Sequence, residues 1–203
     1  MLTLIEIFFT SKLNFMKRNS FLKSLLTAGA FLATPFAVLA KRRHETRIDK
    51  GFKVDAGKDR FEKCITVRES DSYCCKISTK DTDGDMYVFE TIRIKKGGPV
   101  LHYHYDQDEW WYVLGGEFIV KVGDETFNVK AGDSVFGPRR VPHAFAKVSE
   151  GEAKLLMIFQ PAGKMEEYFK AVNEGVTSKL SQEEQDNFKK AHGFEPVGPA
   201  LAY

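Results

Sequence analysis

The chain has 203 residues, 43% of them hydrophobic and 29% charged, with a formal net charge of +2. That length and apolar content suit one globular domain with appendages, large enough to bury a core. The charge is uneven: residues 1–40 carry Lys12, Lys17, Arg18 and Lys23 against Glu6, so the remainder is about −1 and, with no basic stripe interleaved with aromatics, it excludes nucleic acid as a partner.

In chain order, the first element is a targeting segment over residues 1–40. Met16–Lys23 is basic, no charge occurs from Ser24 to Ala40, and Val38-Leu39-Ala40 offers small residues at the cleavage positions. Met16 is an alternative start. Arg18-Asn19-Ser20-Phe21-Leu22-Lys23 resembles a twin-arginine signal with Asn19 in place of the second arginine, and Lys41-Arg42-Arg43 after the apolar run favours that route over ordinary secretion. The segment implies an exported, periplasmic protein with no stable membrane association once the leader is removed. The alternative is an uncleaved anchor, for which the uncharged stretch is short and weakly apolar.

Residues 41–58 form a polar linker or arm. From 59 to 163 short β-rich runs alternate with turn signals: 61–68, 73–78, 86–94, 101–105, 110–114, 117–122, 126–130, 134–136, 143–148 and 154–159. Asp81–Asp85 is a hairpin turn that lacks the later ligands of an EF-hand loop, and Gly123-Asp124 is a two-residue hairpin. Strands at this spacing predict an all-β sandwich or barrel. Helices close the chain, over 164–172 and, behind the capping signature Ser181-Gln182-Glu183-Glu184, to Lys190. This C-terminal helical tail, 164–203, is expected to cover a barrel edge or a dimer contact. Cys64, Cys74 and Cys75 are either small buried hydrophobes on adjacent strands, the favoured reading, or supply one bridge from Cys64 to one of the neighbours.

Chemistry concentrates in His102-Tyr103-His104-Tyr105-Asp106-Gln107-Asp108-Glu109, answered by Gly132, Pro138 and His143. Three of the five histidines fall here; His44 and His192 receive no role. On a strand, residues two apart share a face, so His102 and His104 aim at one spot. Glu109 has the wrong parity for one continuous strand, and a turn over Tyr105–Asp108 must correct it. Glu109, Trp111 and Val113 then face the same interior. Three imidazoles and one carboxylate suit one divalent transition metal, whether Fe, Mn, Ni, Co, Cu or Zn. Burying that carboxylate without a compensating cation would be costly.

These residues resemble the two motifs of the cupin superfamily. His102-x-His104-x4-Glu109-x6-Gly116 fits the first, with Gly97 and Gly98 displaced toward His102; Gly132-x5-Pro138 and His143 fit the second, with Arg140 in place of a glycine and Lys147 in place of an asparagine. The resemblance implies a double-stranded β-helix, a jelly-roll-like barrel over residues 59–163, with His102, His104, Glu109 and His143 as metal ligands. Segments 107–114, 131–143 and 159–163 are most similar to small single-domain cupins related to quercetin 2,3-dioxygenase. That likeness implies a metal-dependent dioxygenase acting on a small aromatic or enolisable compound with O₂, Glu109 doubling as the base. A non-catalytic metal-bound barrel, or a non-oxygenase cupin such as an isomerase or lyase, are the alternatives.

Trp111, Phe118 and Phe145 are the candidate pocket aromatics, against the simpler reading that they are barrel core. Tyr103, Tyr105 and Trp110 have the opposite parity and are assigned to a second layer or a homodimer interface. Arg139 and Arg140 could meet an anionic substrate, although paired arginines in a turn are usually solvated or salt-bridged.

Overall fold

The structure is a computed structural model that describes residues 47–67 and 71–203. The expected leader, the first part of the arm with His44, and residues 68–70 lie outside the described residues.

Alternating burial turns this chain into two antiparallel sheets with one interior. The strands are β1 (Ile65–Val67), β2 (Asp71–Ile77), β3 (Tyr87–Arg93), β4 (Val100–His104), β5 (Asp108–Gly115), β6 (Glu117–Val122), β7 (Glu125–Lys130), β8 (Ser134–Gly137), β9 (His143–Lys147), β10 (Ala153–Gln160) and β11 (Phe194–Ala200). One sheet runs β1-β2-β3-β10-β5-β8 and the other β11-β4-β9-β6-β7. Several neighbours in space, such as β3 and β10, β5 and β8 or β4 and β9, are distant in sequence, as in a jelly roll or double-stranded β-helix. In β10, Ala153, Leu155, Met157 and Phe159 point inward while Lys154, Leu156 and Ile158 are only half-buried. They meet Trp111 and Val113 of β5, Phe89 of β3, and Phe118 and Val120 of β6 in one cluster. Each such large apolar side chain contributes roughly 1.5–3 kcal/mol on burial.

Helices α1 (Met165–Asn173) and α2 (Gln182–Ala191) follow β10. A buried carboxylate fastens α1: Glu166 accepts from Ser78 Oγ at 2.8 Å, the Thr79 amide at 2.8 Å and Lys170 Nζ at 2.7 Å. Burial alone would raise its proton affinity, but these donors outweigh that and hold it below the usual carboxylate range. At α2 the expected capping box is present, Ser181 accepting from the Glu184 amide and Glu184 from the Ser181 amide.

Four local expectations change. Phe61 is 54% exposed and Glu62 has φ 79°, so the run expected over 61–68 is a turn followed by the short β1. The segment between β2 and β3 opens as a 3₁₀ turn over Thr79–Thr82, because Ser78 and Asp81 cap it reciprocally. β11 is a strand within the tail. Pro196, Gly198 and Pro199 mask its sequence signal, yet they suit its place as a sheet edge beside β4, since proline cannot donate to a ladder. Finally, Cys64 and Cys74 form a disulfide, and only Cys75 is a buried free thiol. Cys74 and Cys75 point to opposite faces of β2, so β2 offers only one of them to Cys64.

Burial, and then the nearby acids Glu166, Asp59 and Asp81, push the Cys75 thiol up to about 12. Thiol counting checks this: native protein should react with no iodoacetamide, unfolding without reductant should expose one thiol per chain, and unfolding with reductant three. One reactive thiol in the native state would contradict the buried assignment.

Candidate metal centre

Glu109, fully inside the barrel at 2% exposure, is placed there by the turn 105–107, which separates β4 from β5 and restores its parity. His102 and His104 project inward from β4, and His102 stands directly across from His143 of β9. Glu109 lies across from Gly137 of β8 and from Phe159 of β10. The two sequence motifs thus converge through ladder register.

One nitrogen or oxygen from each of His102, His104, Glu109 and His143 lies within 4.8 Å of every other. Both His104 Nε2 and His143 Nε2 approach Glu109 Oε2 at 3.1 Å. The donor set of the rings is informative. His102 Nδ1 lies 2.8 Å from the Val100 carbonyl, and His143 Nδ1 lies 2.9 Å from the Val141 carbonyl. A carbonyl only accepts, so both Nδ1 atoms carry a hydrogen and the two rings are held with Nε2 as the nitrogen left for the cluster. Three imidazoles packed around a buried carboxylate suit a cation among them, and a metal ion fits that demand.

The electrostatics point the same way. Burial, with the nearby His143 and His104 charges, pushes His102 down to about 3. Burial opposes ionisation of Glu109, but His104 and His143 outweigh it and hold the carboxyl well below the usual carboxylate range. His102 is therefore a neutral nitrogen and Glu109 an anionic oxygen across neutral pH, the forms that bind a divalent ion.

His102, His104 and Glu109 open onto a cavity of about 410 Å³. Phe145 lines it, whereas Trp111 and Phe118 do not. Trp111 packs edge-on against His143 at 5.2 Å between centroids, and Phe118 is wholly buried against Phe145. The helices expected to cover a barrel edge roof this cavity, α1 through Met165, Tyr168 and Phe169, α2 through Gln182, Gln185 and Lys189. Sequence periodicity shows which face of a helix is apolar but not what it covers. Tyr103 and Tyr105 both donate to Glu195 Oε2 at 2.9 Å, tying β4 to β11. Arg139 is engaged by both Asp108 oxygens, at 3.0 and 2.7 Å, and Arg140 donates to the Tyr105 carbonyl; neither lines the cavity. Arg140 has φ 64°, the left-handed conformation for which a glycine is suited. Lys147 is buried and donates to the Ser149 carbonyl at 2.6 Å, away from the cluster. His192 closes α2, its Nδ1 2.7 Å from the Phe188 carbonyl.

Two interleaved antiparallel sheets around a buried three-histidine, one-carboxylate cluster define a class of protein, and comparison with known proteins agrees. Residues 83–159 match the model of the cupin domain, and the chain carries that domain. It is 32% identical over 62 residues to an uncharacterized protein of Methanocaldococcus jannaschii, covering 30% of this chain and 50% of that one. It is 38% identical over 55 residues to an uncharacterized protein of Streptomyces coelicolor, covering 27% and 51%. The chain spans about half the length of the curated relatives it matches. Among solved structures it is similar to KdgF from a Halomonas species, 18% identical, with a TM-score of 0.47 over 55% of this chain and 94% of the other.

A Cβ at Gly137 would lie 2.7 Å from Trp111 Cη2 and 3.3 Å from His143 Nδ1. Gly137→Ala should therefore press Trp111 onto the His143 ring, lowering stability by about 1–3 kcal/mol and bound metal with it; metal analysis showing a full complement would contradict this. Metal-free protein should lose stability as pH falls from about 6.5. The unfolded chain takes up a proton at His102 there while the folded state resists until about 3. Glu109 adds a loss of the same sign below its ordinary value of 4.5. Urea unfolding at pH 7.5, 6.5 and 5.5 should show the decline, and His102→Gln should flatten it.

Proposed function

We propose that this protein is a metal-dependent dioxygenase of the quercetinase-like type, acting on a small aromatic or enolisable compound. The observation that carries the reading is a three-histidine, one-glutamate cluster of which His102, His104 and Glu109 line a small-molecule cavity. Its volume lies within the roughly 300–1,000 Å³ of small-molecule sites. A closed structural zinc site would more often use thiolates, and the cysteines here lie on β2 and before β1.

His102, His104, Glu109 and His143 would hold the ion. When bound, it would supply Lewis acidity and redox chemistry toward O₂ and an oxygen function of the substrate. The protein's own contribution is positional. The Val100 and Val141 carbonyls fix two ring tautomers, and Phe145, Met157 and Phe159 give the cavity apolar walls that exclude water. Glu109 faces both the imidazoles and the cavity, so its carboxylate is placed to accept a hydroxyl proton from the substrate. We further propose that the protein works after export in an oxidising compartment, a reading supported by the Cys64–Cys74 disulfide together with the leader-like sequence.

Purified mature protein should contain about one divalent metal per chain, and His104→Ala should remove most of it. Loaded separately with iron, manganese, nickel, cobalt or copper, it should consume quercetin absorbance only when O₂ is present. Metal retained by His104→Ala would refute the site. Bound metal with no flavonol loss under any loading would refute the quercetinase assignment and leave a metal-bound ligand binder.

A further inference from the structure

β3 alternates Tyr87, Phe89, Thr91 and Arg93 on its inward face, so an arginine occupies a position that the pattern assigns to the core. Its side chain is 5% exposed. Nη2 lies 3.0 Å from Asp71 Oδ2, Nη1 donates to the Tyr73 hydroxyl at 3.4 Å, and the guanidinium sits 5.2 Å from the Phe145 ring centroid. Arg93 Nε has no hydrogen-bond partner among the described residues, and neither has Asp71 Oδ1. A buried ion pair left half satisfied is worse for stability than an apolar residue of the same volume. Arg93 lines the same cavity as His102, His104 and Glu109, and so does Tyr73.

We infer that Arg93 is the anchor for the acid group of the substrate, which is a small carboxylic acid. The inference rests on reading this cavity as the substrate site, and it narrows that site's substrate class. A guanidinium presents parallel N–H donors that match a carboxylate, and Asp71 and Tyr73 engage only one contact each from Arg93's two terminal nitrogens, leaving further N–H donors on that fork. Tyr73 adds a hydroxyl beside it. The acid is held on β3 while its other oxygen function faces the histidines of β4. Phe145, beside Arg93 and two residues from His143, gives the body of the molecule an aromatic surface.

The test is calorimetric binding of phenylpyruvate and of its methyl ester to metal-loaded protein, with metal content measured on the same samples. Wild type should bind the acid at least about tenfold tighter than the ester, the ratio that one charge-assisted hydrogen bond gives. Arg93→Met should bring the two within about threefold of each other at unchanged metal content. If Arg93→Met fails to fold, Arg93→Lys, which keeps the charge but loses the fork, should cut the ratio without erasing it. An acid-to-ester ratio unchanged in either folded variant, or absent in wild type, overturns the inference. Because the readout is binding, it is separate from the dioxygenase reading, which fails on metal content or on flavonol turnover instead.

Discussion

A fully buried carboxylate governs this molecule. Glu109 lies inside an apolar barrel, and an uncompensated charge there costs at least several kcal/mol. Everything around it answers that constraint. The turn before β5 sets its parity, the register of β4 against β9 brings His102 opposite His143, and two backbone carbonyls fix the orientation of those two rings. Its position opposite Gly137 leaves the space that Trp111 fills from below His143. The centre is a property of strand pairing, not of any one loop, so ligands 41 residues apart in sequence meet without a long tether.

The departures from the family motifs explain themselves in the same terms. Gly97 exchanges both backbone hydrogen bonds with Lys147, and a Cβ on Gly98 would collide with the Phe145 carbonyl, so the displaced glycines bring β4 hard against β9. Arg140 accepts a left-handed backbone where a glycine would be at ease, and its amide then donates to the His104 carbonyl at 2.7 Å. That bond steadies a ligand strand from outside the barrel. Lys147 keeps its backbone role in the ladder and turns its ammonium onto a loop carbonyl, which removes it from the chemistry.

The ligand cluster and most of the strands around it were legible in the sequence because both follow from period-two geometry. The inward run Glu109, Trp111, Val113 and the hairpin at Gly123-Asp124 are of this kind. What escaped depends on long-range pairing. β11 carries two prolines and a glycine and looks like a coil until β4 offers it an edge. The choice of Cys74 over Cys75 depends on which face of β2 meets the loop bearing Cys64. Trp111 has the parity of a pocket residue but is shielded by the His143 ring, a distinction parity cannot draw. Arg93 lay inside the run expected over 86–94, which also carries Glu90, and nothing in that run separates a cavity residue from a surface one.

Arg93 and the metal cluster place unlike demands on one cavity. The cluster accepts only a ligand that brings an oxygen to a cation, and many neutral molecules could do so. Arg93 lies apart on β3, against Asp71 and Tyr73 of β2, so a molecule that satisfies both must present two oxygen functions at a set separation. Phe145 lines the cavity beside Arg93, and α1 and α2 line it from above. Specificity is therefore divided between strands whose spacing is held by the sheets, while α1, tied through Glu166, and α2 close the volume over them. The metal ligands set which chemistry is open, and the strand carrying Arg93 sets which molecule is presented to it.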